Sequence, residues 1–168
     1  TDQEKDFSLQ NVPDMLVAGI RFTGEFGASA EPMADLLAQV EEGNITGPAF
    51  CLYHESNPKG GYDMEVCIPV KEPVTTHNVT SRTLPGCVMA TSTHTGPIET
   101  IQYTWRAMYG YAREATVAFA EGPGREVYLE LGTDASQNVT QVMHPALQPL
   151  WLERLRDGLD QHVPVAIR

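Results

Sequence analysis

The feature that most constrains this chain is that it repeats itself. "VAGIRFTG" ends at Gly24 and "MATSTHTG" at Gly96, an offset of 72 residues. Each run is followed by a proline with an acidic residue near it and then a helical pattern, Glu31-Pro32-Met33 through Val40 in one copy and Gly96-Pro97-Ile98 through about Phe119 in the other. Proline in the first helical turn is a start signal, because its missing N–H has no partner there anyway. A Gly-Pro pair then opens an alternating run in each copy, "GPAFCLYHES" from Gly47 and "GPGREVYLEL" from Gly122, offset by 75. A last short run ends at Pro69 in one copy and Pro145 in the other, offset by 76.

Four landmarks in the same order predict an α+β fold of two tandem β-α-β-β modules. They lie within one domain over 1–168, with a first module at 12–70, a linker at 71–81 and a second module at 82–146. One such unit has an open sheet edge and a half-covered face, so two copies are expected to pair about a pseudo-two-fold axis into an antiparallel sheet with two main helices. The groove where they meet is the expected binding site. The tail over 147–168 carries Leu150, Trp151, Leu155 and Leu159 at helical spacing and is expected to pack as a C-terminal helix on the outside.

Composition narrows the partners. A net charge of −11 leaves no clustered Lys/Arg surface for phosphates, so this chain is not expected to bind nucleic acid directly. No helix-turn-helix pattern precedes the first strand, so in a regulator the DNA contact would come from a further domain. No run is long and apolar enough to span a membrane, the acidic start is no signal peptide, and the expected compartment is the cytoplasm. Cys51, Cys67 and Cys87 form no CxxC pair and read as reduced thiols. The five histidines have no metal-ligand spacing, and neither a metal nor a cofactor is expected. No GxSxG, Walker A or GxGxxG motif is present.

Alternation in "GREVYLELG" puts Val127, Leu129 and Leu131 on one face, expected to be core, and Glu126, Tyr128 and Glu130 on the other. The offset of 75 maps the second set onto Cys51, Tyr53 and Glu55. This acid–aromatic face is either a half-exposed sheet surface or the floor of the groove. On the second helix the core stripe reads Ile98, Ile101, Trp105, Met108 and Ala112, with Tyr103 and Tyr111 toward the surface or an edge. Trp105 and Tyr109, one turn apart, share a side. A carboxylate among rings selects positive charge, through cation–π attraction and direct Coulomb attraction of roughly 4 kcal/mol at about 4 Å in an effective dielectric near 20. A carboxyl with a raised pKa in the same place is suited to general acid–base work on water.

"THTGPIETI" with its aromatic helix, "REVYLEL", and a final strand ending in proline resemble the GyrI-like small-molecule-binding domain, built of paired SHS2 modules, over residues 12–146. Related domains are the effector-binding halves of multidrug-sensing MerR- and AraC-type regulators. The resemblance implies that Glu126 is the central pocket glutamate, that Tyr128 matches the aromatic two positions on, and that Trp105 and Tyr109 are pocket rings. Tyr53 joins them by the internal repeat. Family members usually carry tyrosine where this chain has Ile98. The implied partner is a bulky planar or cationic small molecule. The alternatives are a cyclopropanoid hydrolase with Glu126 as acid–base catalyst, and a gyrase-inhibitor-type interaction module.

Overall fold

The computed structural model describes residues 6–56, 59–147 and 162–164. Its elements are β1 (Ser8–Val12), β2 (Met15–Gly24), α1 (Ala30–Ala38), β3 (Phe50–Ser56), β4 (Tyr62–Pro69), β5 (Thr80–Leu84), β6 (Cys87–Thr95), α2 (Ile101–Glu114), β7 (Gly124–Glu130), β8 (Val139–Pro145) and β9 (His162–Pro164). The strands form one sheet in the order β5-β2-β4-β3-β7-β8-β6-β1-β9, with every neighbouring pair antiparallel. The α+β class is as expected, and the described residues include two α-helices. Outward from the central β3–β7 pair, the order is β4, β2, β5 on one side and β8, β6, β1 on the other.

Two links force this sheet to curl. β1 and β2 lie six places apart in the order, about 29 Å in a flat sheet, yet only Pro13 and Asp14 separate them in sequence. Three peptide units reach at most about 11 Å. β5 and β6 are likewise six places apart and joined through Pro85 and Gly86. The two links meet where the Gly86 amide donates to Asp14 Oδ1 at 2.6 Å. Curling gives the sheet an inside, filled by Val17, Phe50, Leu52, Cys67 and Leu84 from one half and Val12, Met89 and Met143 from the other, with Val127 touching both groups. The helices cover the opposite face. α1 packs Leu36 against Ile20, Met64 and Val66, and α2 packs Ile101, Met108 and Ala112 against Leu9, Ala90 and Val142.

Several expectations are corrected. Each β-α-β-β run is preceded by a further short strand, β1 or β5, and β5 begins at Thr80, inside the segment read as a linker. Leu129 and Leu131 are 45% and 64% exposed rather than core. β7 keeps its β3 partner only as far as Val127, so the leucines beyond run out past the filled interior. Tyr111 is half-buried against Phe7, ring centroids 6.5 Å apart, whereas Tyr103 is exposed as expected. α2 stops at Glu114, short of Phe119: Thr116 takes a left-handed φ of 55°, Val117 N–H reaches back to Ala112 O, and Thr116 N–H to Arg113 O. That paired closure ends a helix without glycine's help. The expected tail helix falls mostly on 148–161, outside the described residues. The described end, His162–Pro164, is a strand pairing with β1, an edge position that tolerates Pro164's missing N–H.

Candidate functional site

The site is built around Glu126, which stands on β7 opposite Cys51 of β3 and Val142 of β8, on the helix-covered face. Its side chain is among the most deeply buried in the molecule, 1% exposed. Tyr53 OH donates to Oε1 at 2.9 Å and Trp105 Nε1–H donates to Oε2 at 2.7 Å. Burial pushes the Glu126 pKa up; the bonds from Trp105 and Tyr53 and the nearby His94 pull the other way without cancelling it. Burial, and then Glu126 itself, keep the Tyr53 hydroxyl protonated.

Local sequence explains how Trp105 reaches this carboxylate. His94, buried at the end of β6, uses Nε2 to donate to Pro97 O at 2.8 Å and pairs Nδ1 with Thr104 Oγ1 at 2.7 Å. The histidine and proline of "THTGP" thereby fix where α2 begins. Gly124 then leaves room for the indole, because a Cβ there would meet Trp105 Cη2 at 3.1 Å and Met143 O at 3.4 Å.

A cavity of about 490 Å³ opens beside this group, between two aromatic walls. One wall is Phe26, Tyr53 and Tyr62, with Phe26 5.0 Å from Tyr53 and 5.6 Å from Tyr62 between ring centroids. The other is Trp105 stacked on Tyr109 at 5.9 Å, backed by His144 and Phe119. Gln102, Gly122, Gly124, His54 and Glu55 complete the lining. β3 extends past the start of β7, so residues 54–56 have no β7 partner, and His54 and Glu55 line the opening there. A β-bulge between Tyr53 and Glu55 breaks the β3–β4 register there.

Of the residues expected at the site, Tyr53, Trp105 and Tyr109 line the cavity and Glu126 lies behind Tyr53 and Trp105, bonded to both. Tyr128 is not brought to it: the ring packs with the core under α1 and its hydroxyl pairs with Ser29 Oγ at 3.1 Å. Glu55, which the repeat sets on the same face as Tyr53, also lines the cavity, whereas Phe26, Tyr62, His54 and His144 are not among the expected residues. Phe26 is in a turn and Tyr62 opens β4 directly after one, where periodicity carries little signal, and His54 is the residue bulged out between Tyr53 and Glu55, which alternation does not foresee.

A second buried carboxylate, Glu65 of β4, contrasts with Glu126. Burial pushes its pKa up, but hydrogen bonds from His54 (2.9 Å) and Arg82, reinforced by their charges, bring it down to about 2. Gly19 makes room for it, since a Cβ there would lie 2.8 Å from Glu65 Oε2. Cys51 and Cys67 are buried free thiols, and burial pushes Cys51 up to about 12. Among the described residues, no helix is long and apolar enough to cross a membrane.

Residues 5–146 match the model of the GyrI-like small molecule binding domain, so the chain belongs to that family. No curated protein matches the chain. Among solved structures, the EcmrR C-terminal domain is similar at 19% identity and a TM-score of 0.72, over 84% of this chain and 96% of that one. In the EcmrR–DNA complex the match, also 19% identical with a TM-score of 0.73, covers 83% of this chain and 56% of the EcmrR chain. A hydrolase encoded by lin2189 from Listeria innocua gives 12% identity and a TM-score of 0.65, over 87% and 94% of the two chains. SAV2435 bound to tetraphenylphosphonium gives 17% and 0.57, over 85% and 94%. At these identities the likeness is one of fold.

Proposed function

We propose that this GyrI-like domain holds a bulky planar or cationic small molecule between its two aromatic walls, with Glu126 as the charge beneath. The observation that carries the reading is a buried carboxylate whose two hydrogen-bond donors, Tyr53 and Trp105, are themselves cavity wall. Ring faces attract cations and offer flat apolar area, and a carboxylate behind them adds directed attraction. The fold shared with a protein bound to tetraphenylphosphonium supports a ligand of this type. In this reading the halves 12–70 and 82–146 are duplicated modules about a pseudo-two-fold axis, and the cavity lies where they meet. The mirrored strand order around β3–β7 supports that view. The chain spans 56% of the EcmrR chain in its DNA complex, so in a longer protein a DNA-binding domain would be the natural companion.

Calorimetric titration with tetraphenylphosphonium tests the reading. Wild type should bind, and Trp105→Ala and Glu126→Gln should each weaken binding by about tenfold, the order expected for losing a ring face or a buried charge partner. Unchanged affinity in Glu126→Gln removes the electrostatic part of the proposal.

One observation favours a second reading. A carboxyl whose pKa is raised, in a cavity large enough for a natural product, has the properties of a general acid–base group, and a structure described as a hydrolase shares the fold. In that case Glu126 orients water for opening a strained ring. Turnover of a reactive cyclopropane that survives in Glu126→Ala overturns this reading.

A further inference from the structure

The cavity has a second anionic point that the reading above does not use. Glu126 is behind its walls, so the carboxylate that lines the cavity is Glu55. Glu55 is exposed, and no hydrogen bond or ion pair reaches its side chain among the described residues. The charges around it are committed elsewhere. Arg21, whose charge senses Glu55, is held by Asp63 through two bonds of 2.6 Å. Arg82 and His54 are held by Glu65, and Lys59 in the β3–β4 turn is itself engaged. Glu55 is therefore uncompensated negative charge at the edge of an aromatic cleft, where low-dielectric walls concentrate its field.

Register fixes its offset along the strand from the other acid. Glu126 pairs with Cys51, and Glu55 lies four residues further along β3. At about 3.3 Å per residue, shortened by the bulge, Glu55 lies about 10–13 Å along β3 from Cys51, the residue paired with Glu126. The aromatic walls run between the two acids.

Resting on the reading of the cavity as a cation site, we infer that its ligands are dications. These are planar or rod-shaped molecules with an aromatic middle and a basic group at each end, one directed at Glu126 and the other at Glu55. A monocation satisfies only the buried acid and leaves the edge charge to water. Glu55 is thus a specificity residue that grades ligands by their second charge.

Fluorescence titration with the planar bis-amidine DAPI and its mono-amidine analogue tests this, using wild type, Glu55→Gln and Glu126→Gln. The exposed Glu55→Gln change leaves the core untouched, and thermal melts check the folding of both variants. We expect Glu55→Gln to weaken the bis-amidine about three- to fivefold, the scale of a partly screened ion pair, and the mono-amidine hardly at all. Glu126→Gln should weaken both ligands, and the Glu55 effect should shrink at about 0.5 M salt. If Glu55→Gln alters both ligands alike or neither, while Glu126→Gln still weakens both, the dication inference fails and the cation pocket stands. If Glu126→Gln weakens neither, or wild type binds neither, the cation pocket fails and this inference falls with it.

Discussion

Glu65 on β4 and Glu126 on β7 are buried carboxyls with β3 between them in the same sheet, and the protein treats their protons in opposite ways. Glu65 is held down near 2 from an ordinary 4.5, so the stability it contributes is complete above about pH 4.5 and drains away as pH falls toward 2. Glu126 is raised, so the stability tied to its proton is complete below about pH 4.5 and is lost as pH rises through its elevated value. In melts across pH 2–8, Glu65→Gln should lose about 2–3 kcal/mol of stability at neutral pH and flatten the acid arm of the profile. Glu126→Gln should gain on wild type as pH rises. Parallel acid arms for wild type and Glu65→Gln would refute the first of these. Gly124 offers a third test at this scale. Gly124→Ala should push the indole off Glu126, seen as a shifted tryptophan emission and a weakened ligand, because the neighbour of the new Cβ is a wedged ring with backbone carbonyl beside it. Glu126 itself was legible from strand alternation and from the family resemblance. Its donors were less so, since a tryptophan on a helix stripe is usually core, and Trp105 is both half-packed core and cavity wall.

Among the elements, what the sequence announced clearly were starts. Pro32 lies in the first turn of α1, and Pro97 immediately precedes the short 3₁₀ turn that leads into α2. Ends were harder, because α2 closes on Thr116, a β-branched residue in a conformation that glycine adopts freely. Thr116→Gly should relieve that strain and stabilise the fold by about 1 kcal/mol, raising the melting temperature by about 2–4 °C. A lowered melting temperature would mean the threonine hydroxyl, which donates to Ala115 O at 2.7 Å, matters more than the backbone strain. The short strands β1 and β5, five residues each, escaped notice because neither shows a clean alternation of buried and exposed positions. The bulges after Tyr53 and Tyr128 escaped it because alternation assumes an unbroken register. The first of them decides where Glu55 stands.

For the molecule as a whole, the two-residue links matter most. β1 is joined in sequence to β2 but pairs with β6, and β5 is joined to β6 but pairs with β2. Each half therefore completes the other's edge, something a repeat in sequence foretells only as a need for pairing. Fragments 6–79 and 80–147 should each lack native circular dichroism alone, and the intact chain should unfold in one calorimetric transition with matching van't Hoff and calorimetric enthalpies. Two resolved transitions would show that the halves are independent.

The β3–β7 seam joins those halves through four residue pairs, Phe50–Val127 to Tyr53–Gly124, and the aromatic walls rise from opposite sides of it. A molecule wedged between the walls is consequently a brace across this four-pair join. Its binding free energy adds to the free energy of unfolding the whole domain, about 2.7 kcal/mol when it is present at a hundred times its dissociation constant. Heat resistance measured against a chemical library would thus rank compounds by how well they bridge the seam, and the protein's own unfolding would serve as the gauge for what it holds.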